Sequence, residues 1–315
     1  MIDRCYLEIT NVCNLDCVFC PGHNRQGRQL SAGEFDMLTD RLKDKVKFLY
    51  FHLMGEPFLN RLLPQFVASA RSKGFIPVLT TNGTLFPKAG AQVTANAENH
   101  ADAYAVADAL PYKINISLHS FEGNMGTDLD GYLSQVMDFA RYASAKGVLV
   151  VLRLWNKDGY DSENDRILEL VRSKVSDAAI RTSPGAIQKN SYAVSGLDTK
   201  SHRSKTDSIK LAPKLYLEYD SMFQWPELDG ADYGDRLFCY ALRNQIGVLA
   251  DGSVVPCCLD HNGDMVLGNL FNEPLDDILK SERARNMYDG FTSHHVVEPL
   301  CRSCGYAMLT KQYHS

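Results

Sequence analysis

The chain has 315 residues, 45% hydrophobic and 23% charged, proportions of a globular protein that exclude a mainly disordered one. Thirty-three Lys and Arg stand against 38 Asp and Glu, a formal charge of −5, so the overall basic footprint of a nucleic-acid binder is missing. The longest strongly apolar run, Gly147 to Leu152, stops at Arg153, far short of a membrane span. The first residues, Met1 to Glu8, hold no secretory apolar segment, so a cytoplasmic location is expected.

In chain order, apolar runs predict strands at Cys5–Thr10, Phe48–Met54, Ile76–Thr80, Ile114–Leu118 and Val148–Trp155. Helical patterns between and after them cover Ala32–Lys43, Leu62–Lys73, Gln92–Leu110, Tyr132–Lys146 and Glu163–Val175. Strand and helix in regular alternation imply a parallel sheet with crossover helices. The fold class expected is α/β, a partial (β/α)6 TIM-like barrel, with its site at the C-terminal ends of the strands. Ser183–Lys210 is polar and reads as an excursion or lid, after which a strand resumes at Leu215–Tyr219. Gln245–Leu249, an Asp251-Gly252 turn and Ser253–Val255 read as a β-hairpin, followed by a helix at Pro274–Met287. The domains expected are a barrel over 1–220 and a small hairpin-and-helix cluster-binding domain over 235–315.

Nine cysteines stand out. An odd number in a chain without an export signal argues against a disulfide framework. Cys13, Cys17 and Cys20 form one group, and Cys239, Cys257, Cys258, Cys301 and Cys304 a second; Cys5, inside the first strand, reads as core. Three thiolates at spacings of four and three suit three corners of a [4Fe–4S] cluster and leave one iron open. Zinc is the alternative, although structural zinc normally takes four closed protein ligands. For Cys239, Cys257, Cys301 and Cys304, the residues alone leave zinc and an iron–sulfur cluster both open. Cys258 stands beside Cys257, and neighbouring side chains tend to point apart, so it is either a buried free thiol or a hydrogen donor. His261 is a candidate base, His294-His295 reads as loop, and Tyr219, Phe223 and Trp225 are either candidate pocket walls or ordinary packing after a strand.

The Cys13-x3-Cys17-x2-Cys20 motif after the first strand, with Phe19 before the third Cys, resembles the signature of the radical S-adenosylmethionine (radical SAM) superfamily. The resemblance runs over roughly residues 4–305. It implies that S-adenosylmethionine chelates the open iron and that Phe19 lies near its adenine. Gly55-Glu56-Pro57 looks like the family's motif for the methionine amino group, with Met54 where the family usually has another Gly. Taken singly, this tripeptide and Asn82-Gly83 are ordinary turn formers; their order behind successive strands gives them weight. Asn82, Ser117 and His119 are implied to line the cofactor site, and Arg153 and Asn156 to meet its carboxylate or ribose.

The second group resembles the C-terminal extension called SPASM in its shortened Twitch form, which implies one auxiliary [4Fe–4S] cluster closed by Cys239, Cys257, Cys301 and Cys304. The chemistry implied is reductive cleavage of S-adenosylmethionine to a 5′-deoxyadenosyl radical that takes a hydrogen atom from a small-molecule or peptide substrate. The electron comes from a donor such as flavodoxin or ferredoxin. An auxiliary cluster that accepts an electron makes the net reaction a two-electron oxidation. The alternative is peptide modification or sugar epimerisation with Cys258 returning hydrogen. From another class, a zinc-binding protein without catalysis would keep the barrel alone.

Overall fold

A computed structural model describes residues 2–87, 100–126, 128–157, 159, 161–179 and 207–311. Its strands are β1 (Ile2–Leu7), β2 (Val46–Tyr50), β3 (Ile76–Thr81), β4 (Lys113–Ser117), β5 (Leu149–Lys157), β6 (Asp207–Ala212), β7 (Leu215–Ser221), β8 (Gln245–Val248), β9 (Ser253–Val255) and β10 (Gly268–Asn269). The helices are α1 (Ala32–Leu42), α2 (Leu63–Ser72), α3 (Ala103–Asp108), α4 (Ser120–Gly123), α5 (Leu129–Ala145), α6 (Asn164–Ala179), α7 (Leu275–Leu279), α8 (Glu282–Thr292), α9 (Pro299–Arg302) and α10 (Gly305–Lys311).

All ten strands join one sheet in the order β10-β9-β8-β1-β2-β3-β4-β5-β7-β6. The six strands β1, β2, β3, β4, β5 and β7 are parallel neighbours, the expected (β/α)6 arrangement. β8 adds to β1 in parallel, with Cys5 opposite Ile246 and Leu7 opposite Val248. The C-terminal hairpin therefore extends the barrel's own sheet. β6 and β9 are antiparallel to β7 and β8.

Local chemistry accounts for the element ends. Ser31 and Glu34 form a reciprocal capping box at the start of α1. α5 buries Leu129, Leu133, Val136, Met137, Ala140 and Ala143 along one face, the spacing of an amphipathic helix. Phe35 stacks on Phe66 and Phe86 on Phe139, with ring centroids 4.1 and 4.0 Å apart, beneath the β2–β4 part of the sheet.

Several expectations change. The sheet part of the first strand ends at Leu7; the chain bends at Ile9, and Ile9 and Thr10 pair with Leu30 and Gln29. The helix expected at Gln92–Leu110 does not run through Asp102, whose extended backbone and side-chain cap on Tyr104 and Ala105 begin α3; residues 92–99 lie outside the described residues. The helix expected at Pro274–Met287 is two helices, because Ser281 caps the nitrogen of Ala284 and starts α8 anew. Of the Ser183–Lys210 excursion, 183–206 lie outside the described residues, and Ser208–Lys210 are paired strand. No described helix is long and apolar enough to cross a membrane.

Candidate active site

The cysteine loop leaves β1 and crosses the C-terminal ends of the parallel strands. It is fastened by groups that the loops after β3 and β4 supply. Asn82 donates to Asn14 at 3.0 Å, and Asn14 donates to Thr84 at 2.8 Å. Val18 N–H reaches the Gly123 carbonyl at 3.0 Å, and Asn124 accepts from Asp16 N–H at 3.0 Å. The Asn124 side-chain amide also donates to the sulfur of Cys17 at 2.9 Å. The thiols lie close enough for each to raise the pKa of a neighbour, but burial is the larger cause of their upward shift. Cys13 and Cys20 are exposed and Cys17 is half-buried, so the three sulfurs are open to a centre whose positive charge stabilises thiolates.

Gly55 follows β2 with φ +77°. An alanine Cβ there would fall on the Thr10 carbonyl and lie 2.8 and 2.9 Å from the Asn11 backbone, so only Gly lets the two loops pass. The close approach places Glu56 N–H 2.9 Å from the Val12 carbonyl, next to Cys13. The Glu56 carboxylate is buried and accepts from Thr81 Oγ1 at 2.7 Å, Asn82 N–H at 2.8 Å and Phe58 N–H at 3.1 Å. Burial pushes its pKa up to about 7, against these hydrogen bonds. Pro57 opens the short 3-10 turn that follows, and Tyr132 donates to the Asn82 carbonyl at 2.7 Å.

Phe19, Ser117, His119 and Arg153 line a cavity of about 690 Å³ that runs down inside the barrel. Phe19 packs against His119 with centroids 5.1 Å apart, in space left by Gly123, where a Cβ would meet the Phe19 ring. His119 faces the Arg153 carbonyl through Nδ1 at 3.1 Å; burial and the Arg153 cation hold its pKa down near 4. Arg153 lies over Trp155, 4.0 Å from the ring centroid, and 3.9 Å from Glu218. Gly55, Glu56, Pro57, Asn82 and Asn156 do not line this cavity. Asn156 is buried in a reciprocal amide pair with Asn164.

The second cysteine group opens onto the same cavity: Cys239, Cys257, Cys258, Cys301 and Cys304 all line it. Burial raises the pKa of Cys257, and Cys258, Cys239, Cys301 and Cys304 add to the rise. These half-buried thiols are fitted to a cationic centre. Among the described residues, no three Cys, His, Asp or Glu side chains are drawn together as around a single metal ion. Burial brings the Cys258 thiol up to about 11, opposed by a hydrogen bond from Tyr6 and the Arg4 cation. Cys5 is fully buried core.

Phe223 and Trp225 line the cavity; Tyr219 does not, because Glu218 and Asp220 take the inward positions of β7. His261 is buried behind Trp225, 3.5 Å from Glu227, and is not a cavity wall. Sequence reasoning also missed Glu8 and Arg25. The Glu8 carboxylate is fully buried and clasps Arg25 at 2.6 and 2.7 Å. A lone acid between Leu7 and Ile9 in an apolar run was the available signal.

The family profile described as the radical SAM superfamily matches residues 7–171, just over half of the chain. The chain belongs to the radical SAM superfamily. An iron–sulfur cluster-binding SPASM profile matches residues 239–305. This is therefore a radical SAM enzyme whose cofactors are S-adenosylmethionine, its [4Fe–4S] cluster and an auxiliary iron–sulfur cluster.

Among curated relatives, a tungsten-containing aldehyde ferredoxin oxidoreductase cofactor-modifying protein of Pyrococcus furiosus is 33% identical over 85 residues, 25% of this chain and 24% of that one. An Fe-coproporphyrin III synthase of Methanosarcina barkeri is 34% identical over 84 residues, 26% and 21% of the two chains. The chain thus spans about a quarter of the length of these relatives. The fold is similar to that of BtrN in complex with AdoMet and 2-DOIA, with TM-score 0.57, 17% identity and 96% and 93% of the two chains covered. It is also similar to SuiB of Streptococcus suis bound to the precursor peptide SuiA, with TM-score 0.53, 15% identity and 98% and 70% covered.

Proposed function

We propose that the enzyme oxidises a carbon centre of a substrate by two electrons, in a cavity that reaches from Phe19, the neighbour of Cys20, to the second cysteine group. The observation that carries this reading is that cavity itself: Phe19, Ser117 and His119 wall one part, and Cys239, Cys257, Cys301 and Cys304 another. A substrate held there lies between the two sites. Its volume is that of a small-molecule pocket, which favours a small molecule or a single peptide side chain.

Cys13, Cys17 and Cys20 would hold the first cluster, and Cys239, Cys257, Cys301 and Cys304 the auxiliary one. When bound, these groups supply a 5′-deoxyadenosyl radical from S-adenosylmethionine and a sink for the electron left on the substrate. The protein's share is placement and exclusion of water. Gly55 and Glu56 hold the loop beside Cys13, Asn124 donates to the Cys17 sulfur, and Arg153 presents a cation to the cavity. The electron donor is a small one-electron carrier such as flavodoxin or ferredoxin.

A second reading rests on Cys258, which lines the cavity and takes a hydrogen bond from Tyr6. There it would return hydrogen, as epimerisation or another redox-neutral modification requires. Anaerobic turnover in D2O, with candidate substrates and mass spectrometry of products, separates the two. Oxidation consumes one S-adenosylmethionine per product and leaves no deuterium at carbon. Deuterium in the product that disappears in Cys258→Ala would overturn oxidation in favour of hydrogen return.

A further inference from the structure

The Glu8–Arg25 pair lies outside both cysteine groups, yet it touches the segments that carry them. Glu8 follows the last sheet residue of β1, five residues before Cys13, and Arg25 comes five residues after Cys20. The carboxylate accepts four donors from three segments. Oε1 takes Arg25 Nη1 at 2.6 Å and Ala250 N–H at 3.1 Å; Oε2 takes Arg25 Nη2 at 2.7 Å and Met54 N–H at 3.3 Å. Arg25 Nε then reaches the His261 carbonyl at 2.8 Å. Ala250 and His261 bracket Cys257 and Cys258, and Met54 precedes Gly55-Glu56.

Neighbouring contacts point the same way. Arg28 donates to the Ala250 carbonyl at 2.8 Å, and Asn24 N–H to the Asn262 side chain at 2.9 Å. Nearly every polar group of 23–28 that leaves its own loop is spent on the strand-end loops or on residues 250–262. A buried bidentate carboxylate–guanidinium pair has one geometry, set by the planar fork, and a buried ion pair contributes little net stability against apolar residues of like volume. Its value therefore lies in what it positions.

We propose that Glu8 and Arg25 are positioning residues that fix the separation and orientation of the two cluster-bearing loops, so that the auxiliary site is held in register with the S-adenosylmethionine site. This rests on the two-cluster reading above, but the latch also has a readout without any cluster.

The test compares wild type with Glu8→Gln and with the double variant Glu8→Gln/Arg25→Met. The double variant removes both charges and leaves no uncompensated ion in the interior. In the cofactor-free protein under reductant, hydrogen–deuterium exchange at the Met54 and Ala250 amides is expected to quicken at least tenfold in both variants. The double variant should regain most of the stability that Glu8→Gln loses. In the reconstituted, doubly reduced enzyme, spin–spin broadening between the clusters is expected to weaken in the double variant while iron content stays at the wild-type level.

Recovered stability with still-loosened amides and weakened coupling supports positioning. A double variant with wild-type exchange and wild-type coupling overturns it. An iron count corresponding to one cluster in the wild type would instead remove the two-cluster reading, and the exchange data would still decide whether the latch holds the two loops together.

Discussion

Replacing Gly55 with Ala should cost far more than a methyl group ordinarily does. The residue has φ +77°, where a non-glycine residue costs roughly 1–2 kcal/mol. The new Cβ would also fall on the Thr10 carbonyl and lie within 2.9 Å of the Asn11 backbone. Neither atom belongs to a side chain that can rotate away, so relief requires one loop to move, and overpacking of that kind costs roughly 1–3 kcal/mol. Together the loss is about 2–5 kcal/mol. Because Glu56 N–H bonds the Val12 carbonyl beside Cys13, the movement passes directly to the cysteine loop. Urea unfolding of the cofactor-free, reduced protein measures the first effect, and S-adenosylmethionine binding to reconstituted enzyme by equilibrium dialysis measures the second. Destabilisation below about 0.5 kcal/mol with unchanged binding would refute the claim that Gly55 is required by the crossing of these loops.

Other predictions follow from the polar interior. Burial, helped by the Arg153 cation, holds His52 down near pKa 3, and burial holds His119 near 4, both from an ordinary value of 6.5. The folded state therefore keeps both neutral while the unfolded chain takes up protons below 6.5. Their contribution is present above pH 6.5 and is lost as pH falls towards 4 and 3, on the order of 2 kcal/mol each between pH 7 and 5. Urea unfolding of the cofactor-free protein at the two pH values should show this loss, roughly halved in His52→Gln; an unchanged slope would contradict the assignment. Asn124→Ala removes a donor from the Cys17 sulfur, and hydrogen bonds to sulfur tune cluster potential. An EPR-monitored redox titration should give a lower potential for that cluster, with iron content retained, and an unshifted potential would count against the contact.

Much of the barrel was legible because its signals are local. Each parallel strand is an apolar run, and Cys13, Cys17 and Cys20 lie within eight residues, so their joint role needs no tertiary information. Cys239, Cys257, Cys301 and Cys304 are spread over 66 positions; their residues alone left zinc and an iron–sulfur cluster both open, and only the resemblance to SPASM favoured the cluster. What was missed depends on register between distant segments. Nothing local says that Gln245–Val248 will pair with β1, that Asn124 will meet Cys17 across 107 positions of sequence, or that Glu8 will be closed by Arg25 and Ala250. The helix break at Ser281 was visible in principle, since Ser followed three residues later by Ala284 in a fresh amphipathic pattern is a cap. There the continuous periodicity of Pro274–Met287 masked it.

The central claim is that the chain holds two iron–sulfur sites, one of them open to S-adenosylmethionine. Iron counting with Mössbauer spectroscopy tests it most directly, on anaerobically reconstituted wild type beside the Cys13→Ala/Cys17→Ala/Cys20→Ala variant. The account predicts roughly eight irons per chain falling to roughly four, all as [4Fe–4S]. Roughly four falling to none would contradict it, leaving the C-terminal cysteines without a cluster and the oxidation without its electron acceptor.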